Sequence, residues 1–545
     1  MATGRPPDQQ PIVAPGQSPT ASPDSSASSL DVPDPITPLT PAESAFVAQL
    51  NETSNRDEVL AELKANLQTA VEIELATIPI YLYACYSLVR NNESGETISD
   101  AQLFANKAGG GIMSVAVEEM LHMSLSSNIL YAMGVAPQLY GKAPAQYPTP
   151  LPYHNPNGPP GPDGSTAVLI PLARLSFEQL WHFLQVEYPE QWDALPQDRD
   201  WQTIGQFYSY IRCLLRTKFV TDDDFRQGPA AQAIQPYNYS PDNVDTVYPR
   251  SGFDPWKPAP PAPTPSWADS KPGAAEAAVY PDAADSHAGK SELLCIASLQ
   301  DAAEAIDTIC DQGEGVPVPD VGPSPDDDPS KDEQSHYVKF LNLQAQYADY
   351  PGCKEELPSE PPPPAPVRPT VADEALLAAG VLIDFPDNPA TADYPDFYRQ
   401  IADFCSALFQ YMLIMTETIY RVPPENQKLF FNEGLHRSMI WVLDKYIRTI
   451  RQIPIPSGKH EGRLMGPAFE NVDLGPRARS FAGLARFGNA AIDAANKLAE
   501  DNPNTSLART MGNVVYYVGV ALTKTGDGGQ SMHLPDVGPY WQDGG

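Results

Sequence analysis

The stretch AVEEMLHMSLSSNIL, residues 116–130, places two adjacent acids and one histidine inside an apolar run. Steps of three and four residues share one face of a helix, so Glu119 and His122 lie on the apolar face and Glu118 lies one position aside. Burying these groups without a partner would cost several kcal/mol. A Glu-x-x-His pair on such a face is the ligand unit of di-metal helix bundles, in which two other helices supply one Glu each. The spacing therefore predicts a metal centre.

Other segments carry the remaining parts that such a centre needs. Glu74 lies on the apolar face of EIELATIPIYLYACY, whereas Glu72 lies on a more polar face. A second Glu-x-x-His, formed by Glu333 and His336, occurs in KDEQSHYVKFLNL, and Glu314 ends the apolar pattern of LQDAAEAIDTICDQGEG. One Glu, a Glu-x-x-His, a second Glu and a second Glu-x-x-His thus follow each other in the order of a four-helix di-metal site.

A rival set of residues fits the last two parts equally well. Glu433 and His436 form a Glu-x-x-His in NEGLHRSMIWVLDKYI, and Glu417 in MLIMTETIY can supply the preceding acid. Periodicity alone does not choose between this set and the one that ends at His336. Glu187, among apolar neighbours in FLQVEYPEQW, is a further candidate ligand.

The residue types also indicate which metal such a centre would hold. Four carboxylates and two imidazoles combine hard oxygen with borderline nitrogen ligands, which suits iron or manganese. Each imidazole then needs an acceptor for its second N–H. Glu118 and Asp332 are candidates for this role, and each fits a solvated surface acid equally well.

The helices that must position these residues follow from the spacing of apolar residues. Few segments alternate with a period of two, so we expect little β structure and a mainly α fold. We predict helices near 57–90, 100–134, 176–187, 202–217, 290–314, 331–348, 395–420, 425–452, 477–499 and 505–522.

Charge and composition exclude several classes of partner. The 35 basic and 69 acidic residues give a net charge of −34, which would repel nucleic acid and anionic lipid. No apolar run approaches the roughly 18 residues of a membrane span. The cysteines are scattered and the first residues lack the pattern of a secretory signal, so we expect reduced thiols and a cytoplasmic location. We expect a small-molecule substrate as partner and consider a homodimer as one oligomeric state.

Several of these stretches resemble those of a known family. The stretches ELATIPIYLYACYSL, VEEMLHMSLSSNILYAMGVAPQL, TIGQFYSYI, DQGEG and SHYVKF resemble the ferritin-like domain of iminophenyl-pyruvate dimer synthases, which belong to violacein- and rebeccamycin-type bisindole pathways. The likeness spans about residues 57–350 and, more loosely, 395–470, where IPIPSGKHEGRLMGPAFE resembles the end of the helical part. The metal-binding and catalytic residues that the resemblance implies are Glu74, Glu119, His122, Glu314, Glu333 and His336. It makes Glu417, Glu433 and His436 the second choice.

The resemblance also implies a fold and a chemistry. It implies a ferritin-like four-helix bundle that binds two iron ions, with manganese as the alternative, and uses O2 as co-substrate. The implied activity is that of an oxidase or oxygenase acting on a small organic molecule in specialised metabolism, and the named relatives imply oxidative coupling of amino-acid-derived imines. The bisindole enzymes are considerably longer than this chain, so the resemblance supports the metal site better than the particular reaction. The alternative is a ferritin-like protein that binds or stores iron without an organic substrate.

Proline-rich segments suggest where the domains begin and end. The 60 prolines are clustered, and such segments bury too little apolar surface to fold alone. We expect a disordered tail over 1–43, and a linker over 351–394. Between them, the metal-binding bundle would occupy 44–350, with insertions at about 140–175 and 217–290. A further helical region that packs on the bundle would occupy 395–545.

Overall fold

Twelve α-helices form the part of the protein that the structure, a computed structural model, describes. The described residues are 37–89, 99–154, 169–190, 193–226, 296–313, 335–348, 371–423, 427, 430, 442–522 and 534–541. The helices are α1 (Pro41–Thr53), α2 (Arg56–Tyr86), α3 (Asp100–Ala132), α4 (Phe177–Val186), α5 (Ile204–Leu215), α6 (Leu299–Gln312), α7 (His336–Ala348), α8 (Val371–Ala378), α9 (Asp396–Ile419), α10 (Leu443–Ile450), α11 (Phe481–Asp501) and α12 (Ser506–Leu522). These residues contain no strand, only isolated bridges such as the one between Thr149 and Ile170. The predicted mainly α fold is confirmed.

Polar side chains at the helix starts explain where several helices begin. A residue whose side-chain oxygen accepts a hydrogen bond from the first turn stabilises the start of a helix. Asn55 and Glu58 form a reciprocal capping box at the start of α2. At the starts of α3, α4 and α5 the caps are Ser99, Ser176 and Thr203. Each of them accepts one backbone N–H through its side-chain oxygen.

The helices pack in two groups that meet through α2. In the first group, α2 packs along α3, α4 packs on α7, and α7 also contacts α3. Helix α5 lies against α1, α2 and α6, and α6 also contacts α3. In the second group, α9 packs on α11, α11 packs on α12, and α10 contacts α9, α12 and α2. The interior of the first group therefore receives side chains from several helices that are far apart in sequence.

Two helices were missed by the sequence prediction. Helix α1 begins at Pro41, inside the segment expected to be a disordered tail. Thr40 and Glu43 form a capping box at its start. The prediction missed this signal because the preceding segment is rich in proline and serine. Helix α8 lies inside the segment expected to be a linker, where the short run VADEALLA follows the prolines. The sequence prediction was also wrong about the start of α6, which begins at Leu299 because Ser298 caps it there. Most of the predicted helix over 425–452 lies outside the described residues.

Candidate metal centre

Four of the predicted ligands converge between α2, α3 and α7. Glu74 comes from α2, Glu119 and His122 come from α3, and His336 is the first residue of α7. A fifth side chain joins them from the residue that ends α4, Glu187, whose N–H bonds to the carbonyl of Phe183. The predicted ligands Glu314 and Glu333, the second-choice residues Glu433 and His436, and the candidate acceptor Asp332 lie outside the described residues.

The five side chains form two groups of three that share one carboxylate. Glu74, Glu119 and His122 form one group, and Glu119, Glu187 and His336 form the other. All five are buried, with at most 4 % of each residue exposed. This arrangement offers two neighbouring positions for metal ions, with Glu119 able to reach both.

Both imidazoles turn their Nδ1 atoms towards the shared carboxylate. His122 Nδ1 lies 3.9 Å from Glu119 Oε1 and 4.0 Å from Glu74 Oε2. His336 Nδ1 lies 3.0 Å from Glu119 Oε1 and 3.4 Å from Glu187 Oε2. The two rings are stacked, with centroids 5.4 Å apart. The two Nδ1 atoms and the carboxylate oxygens therefore face a common interior.

The other nitrogen of each imidazole is held by an acceptor outside this interior. His122 Nε2 lies 3.1 Å from Gln312 Oε1, and His336 Nε2 lies 2.8 Å from Glu118 Oε2. An acceptor at Nε2 places a proton there, so Nδ1 is the nitrogen whose lone pair would bind a metal once it carries no proton. His336 Nδ1 is buried yet makes no hydrogen bond of acceptable geometry. Such an orphaned buried nitrogen fits a metal ligand.

Hydroxyl groups hold one oxygen of each carboxylate and leave the other oxygen facing the interior. The Tyr208 hydroxyl donates to Glu74 Oε1, and the Tyr81 hydroxyl donates to Glu187 Oε1. The Thr77 hydroxyl donates to Glu119 Oε2 at 2.5 Å. These neutral donors fix the direction of the carboxylates without neutralising their charge.

Without a metal ion, burial opposes the charged forms of the side chains around Glu74. Burial, reinforced by the Glu119 charge, raises the pKa of Glu74 well above its ordinary value. Burial also opposes ionisation of Glu119, but the imidazole of His336, whose Nδ1 lies 3.0 Å from Glu119 Oε1, holds the pKa of Glu119 at about 2. Burial lowers the pKa of His122.

On the opposite side of the centre, acidic neighbours outweigh burial. Burial would lower the pKa of His336, but Glu187, Glu118 and Glu119 raise it well above the ordinary value. Burial likewise opposes ionisation of Glu118, whose pKa Lys339 and His336 hold at about 2. The centre thus collects buried negative charge that a bound cation would compensate.

The donor set suits a pair of metal ions in both number and type. Each group offers two carboxylates and one imidazole, and the two groups meet at Glu119. Mixed oxygen and nitrogen ligands of this kind match iron or manganese. The residues present therefore fit the group that the sequence predicts.

Glu417, the described member of the rival set, has a different role in the structure. It is buried in α9, where its Oε1 accepts hydrogen bonds from the N–H groups of Leu139 at 2.7 Å and Tyr140 at 2.9 Å. Its Oε2 pairs with Arg479. Because both oxygens have donors and the charge has a cation, Glu417 needs no metal.

Comparisons with known proteins give a family match and a structural neighbour. A sequence model of the family described as Ferritin-like matches residues 67–252 and 272–345, the part that supplies the described side chains of the centre. A ferritin-like protein from Caulobacter vibrioides, known from its crystal structure, is 18 % identical, with 70 % of this chain and 96 % of that chain covered and a TM-score of 0.34. No curated protein sequence matches significantly. Within the described ranges, none of the helices is both long enough and apolar enough to cross a membrane.

Proposed function

Because residues 67–345 carry a ferritin-like domain with buried Glu and His groups suited to metal, we propose that this protein binds two iron ions and uses O2 to oxidise a small organic molecule. The observation that carries the proposal is the shared position of Glu119, which is common to both groups of three. A site for a single ion does not need a carboxylate common to two positions, whereas an enzyme and a store that oxidises iron can both use one, and oxygen uptake distinguishes these two. A reduced pair of iron ions, when bound, supplies the electrons that activate O2.

The residues of the chain would hold this pair and orient it. Glu74 and His122 would bind one ion, Glu187 and His336 would bind the other, and Glu119 would reach both. Tyr208 and Tyr81 each occupy one oxygen of a terminal carboxylate, so Glu74 and Glu187 would each present a single oxygen to the metal. A carboxylate held in this way leaves room for other ligands at the metal.

Aromatic side chains close one flank of the centre against water. The rings of Tyr81, Phe183 and Phe340 contact one another, with centroids 4.8–5.3 Å apart. All three residues are buried, and Tyr81 also bonds to Glu187. Packed apolar rings of this kind keep water away from the centre and would protect reactive states.

Metal analysis is the first test of the proposal. Protein produced with excess iron should contain two iron ions per chain. Glu119→Ala should lose both ions, because both groups of three include Glu119. Glu72→Gln is the matched control, since Glu72 lies on the same helix as Glu74 but pairs with Lys142 at 3.0 Å near the surface. Folded protein without metal, or Glu119→Ala with unchanged metal content, would contradict the proposal.

Oxygen uptake separates an enzyme from an iron store. A store consumes O2 only in proportion to the iron(II) that is added. The proposed enzyme should consume O2 beyond that amount when aromatic amino acids or the imines derived from them are supplied together with a reductant. Uptake that follows added iron alone with every organic molecule tested would favour the storage function.

A further inference from the structure

The two halves of the metal centre differ in the group that accepts the outer N–H of each imidazole. His122 Nε2 faces the neutral amide oxygen of Gln312 at 3.1 Å, on α6. His336 Nε2 faces a carboxylate oxygen of Glu118 at 2.8 Å, on α3. Lys339 donates to both oxygens of Glu118, at 2.7 and 2.8 Å, and so fixes the carboxylate in place. One imidazole therefore has an anionic acceptor and the other has a neutral one.

This difference changes how well each imidazole binds a metal. A carboxylate that accepts the outer N–H draws the proton away from the ring and raises the electron density at Nδ1. An amide oxygen accepts the same hydrogen bond more weakly, because charge-assisted hydrogen bonds are roughly twice as strong as neutral ones. His336 should therefore be the stronger ligand of the two.

A second, independent difference lies in the ligand distances. Around an ion with metal–ligand bonds of about 2.1 Å, adjacent ligands in an octahedron lie about 3.0 Å apart. His336 Nδ1 already lies 3.0 Å from Glu119 Oε1 and 3.4 Å from Glu187 Oε2. The corresponding distances from His122 Nδ1 are 3.9 and 4.0 Å. The separations from His336 Nδ1 are thus already close to those around an ion, whereas the separations from His122 Nδ1 would have to shorten.

We propose that the two metal positions are unequal, that the position formed by Glu119, Glu187 and His336 binds its ion more tightly and fills first, and that Glu118 and Gln312 set this difference. The inference rests on the proposed function, because it requires that both positions bind metal. Glu118 and Gln312 are positioning residues, since they act through the imidazoles and do not contact the ions.

Titration of the metal-free, full-length protein with Co²⁺ under argon tests the proposal without any measurement of activity. Calorimetry should resolve two steps whose dissociation constants differ at least tenfold, and the visible absorption of Co²⁺ should report each step. Glu118→Gln should weaken the tighter step about 10- to 100-fold and leave the weaker step within about threefold. Gln312→Glu, the reciprocal change, should lower the dissociation constant of the weaker step and bring the two dissociation constants closer together.

The possible results separate this proposal from the proposed function. Two equal steps in the unaltered protein would overturn the inequality, and equal weakening of both steps in Glu118→Gln would overturn the role of Glu118. Both results leave the proposed function intact. If Glu118→Gln does not fold, as judged by circular dichroism, Gln312→Glu tests the proposal instead. An unchanged ratio of the two dissociation constants in that variant would overturn the proposal. Absence of Co²⁺, Fe²⁺ and Mn²⁺ binding in the unaltered protein would overturn the proposed function as well.

Discussion

The buried glutamates of the metal centre and the buried Glu417 of the C-terminal region have different partners. In the C-terminal region, Glu417 receives two backbone N–H groups and the guanidinium of Arg479. In the metal centre, Glu74 and Glu187 receive tyrosine hydroxyls, and Glu119 receives a threonine hydroxyl. In the first region one arginine compensates one glutamate. In the second region the hydroxyls provide hydrogen bonds without charge, and only two cationic groups, His336 and Lys339, contact the glutamates of the described centre.

The comparison shows why position on an apolar face does not by itself predict a metal ligand. A buried carboxylate needs compensation for its lost hydration, and either a cationic side chain or a metal ion can provide it. Arg479, which also stacks over Trp541 with the guanidinium carbon 3.6 Å from the ring centroid, provides it for Glu417. The metal centre would instead gain it from a bound cation, so removal of metal should affect this region and removal of Arg479 should affect the other.

Removal of metal should have the largest effect and should act on the metal centre alone. A ligand that binds only the folded state at 100 times its dissociation constant adds about 2.7 kcal/mol to the free energy of unfolding, so two ions add about 5 kcal/mol. A chelator should therefore lower the midpoint of thermal unfolding, measured by circular dichroism. Glu119→Gln should start from the lower midpoint and show no response to the chelator. An equal response in both proteins would contradict the dependence on a cation.

Loss of the cation in the C-terminal region should come next in size. Arg479→Ala leaves Glu417 buried with only its two backbone donors, and the arginine side chain is 31 % exposed. We expect a loss of about 2–4 kcal/mol in the free energy of unfolding by urea, below the range for a fully buried pair. Metal content should stay unchanged. Arg477→Ala, two residues earlier and exposed, is the control and should cost less than about 0.5 kcal/mol. A loss of iron in Arg479→Ala would show that the two regions are coupled.

Local spacing was enough to predict the mainly α fold and part of the centre. The step of three from Glu119 to His122 and the apolar face around Glu74 depend only on helical geometry, and the structure brings these residues together. His336, from the second Glu-x-x-His pair, joins them. Glu118, one of the two candidate acceptors, lies beside an imidazole nitrogen, His336 Nε2, although the sequence did not predict which imidazole it would contact. That Glu314 and Glu333 are ligands remains a prediction.

Other parts of the centre could not be predicted from spacing. Glu187 ends the ten-residue helix α4, where helical periodicity stops, so the sequence offered it only as an extra candidate. Gln312, on α6, contacts His122 across 190 residues of sequence. Tyr208, on α5, contacts Glu74 across 134 residues. Nothing in the pattern around a glutamine or a tyrosine specifies such a distant partner, because tertiary packing alone decides it.

The smallest of the expected effects comes from two buried threonines, one in each region. The Thr77 hydroxyl donates to Glu119 Oε2, whereas the Thr416 hydroxyl donates at 3.0 Å to the carbonyl of Met412 in its own helix. Thr77→Val should lower metal affinity about tenfold, equivalent to about 1.4 kcal/mol, because Glu119 loses the donor that orients it. Thr416→Val, the matched control, should leave metal affinity unchanged, since its hydroxyl contacts no carboxylate of the centre. Competition with a chromophoric chelator measures both affinities. Equal losses in the two variants would mean that a buried threonine affects metal binding through general helix stability, and the Thr77 hydroxyl would then have no specific role in orienting Glu119.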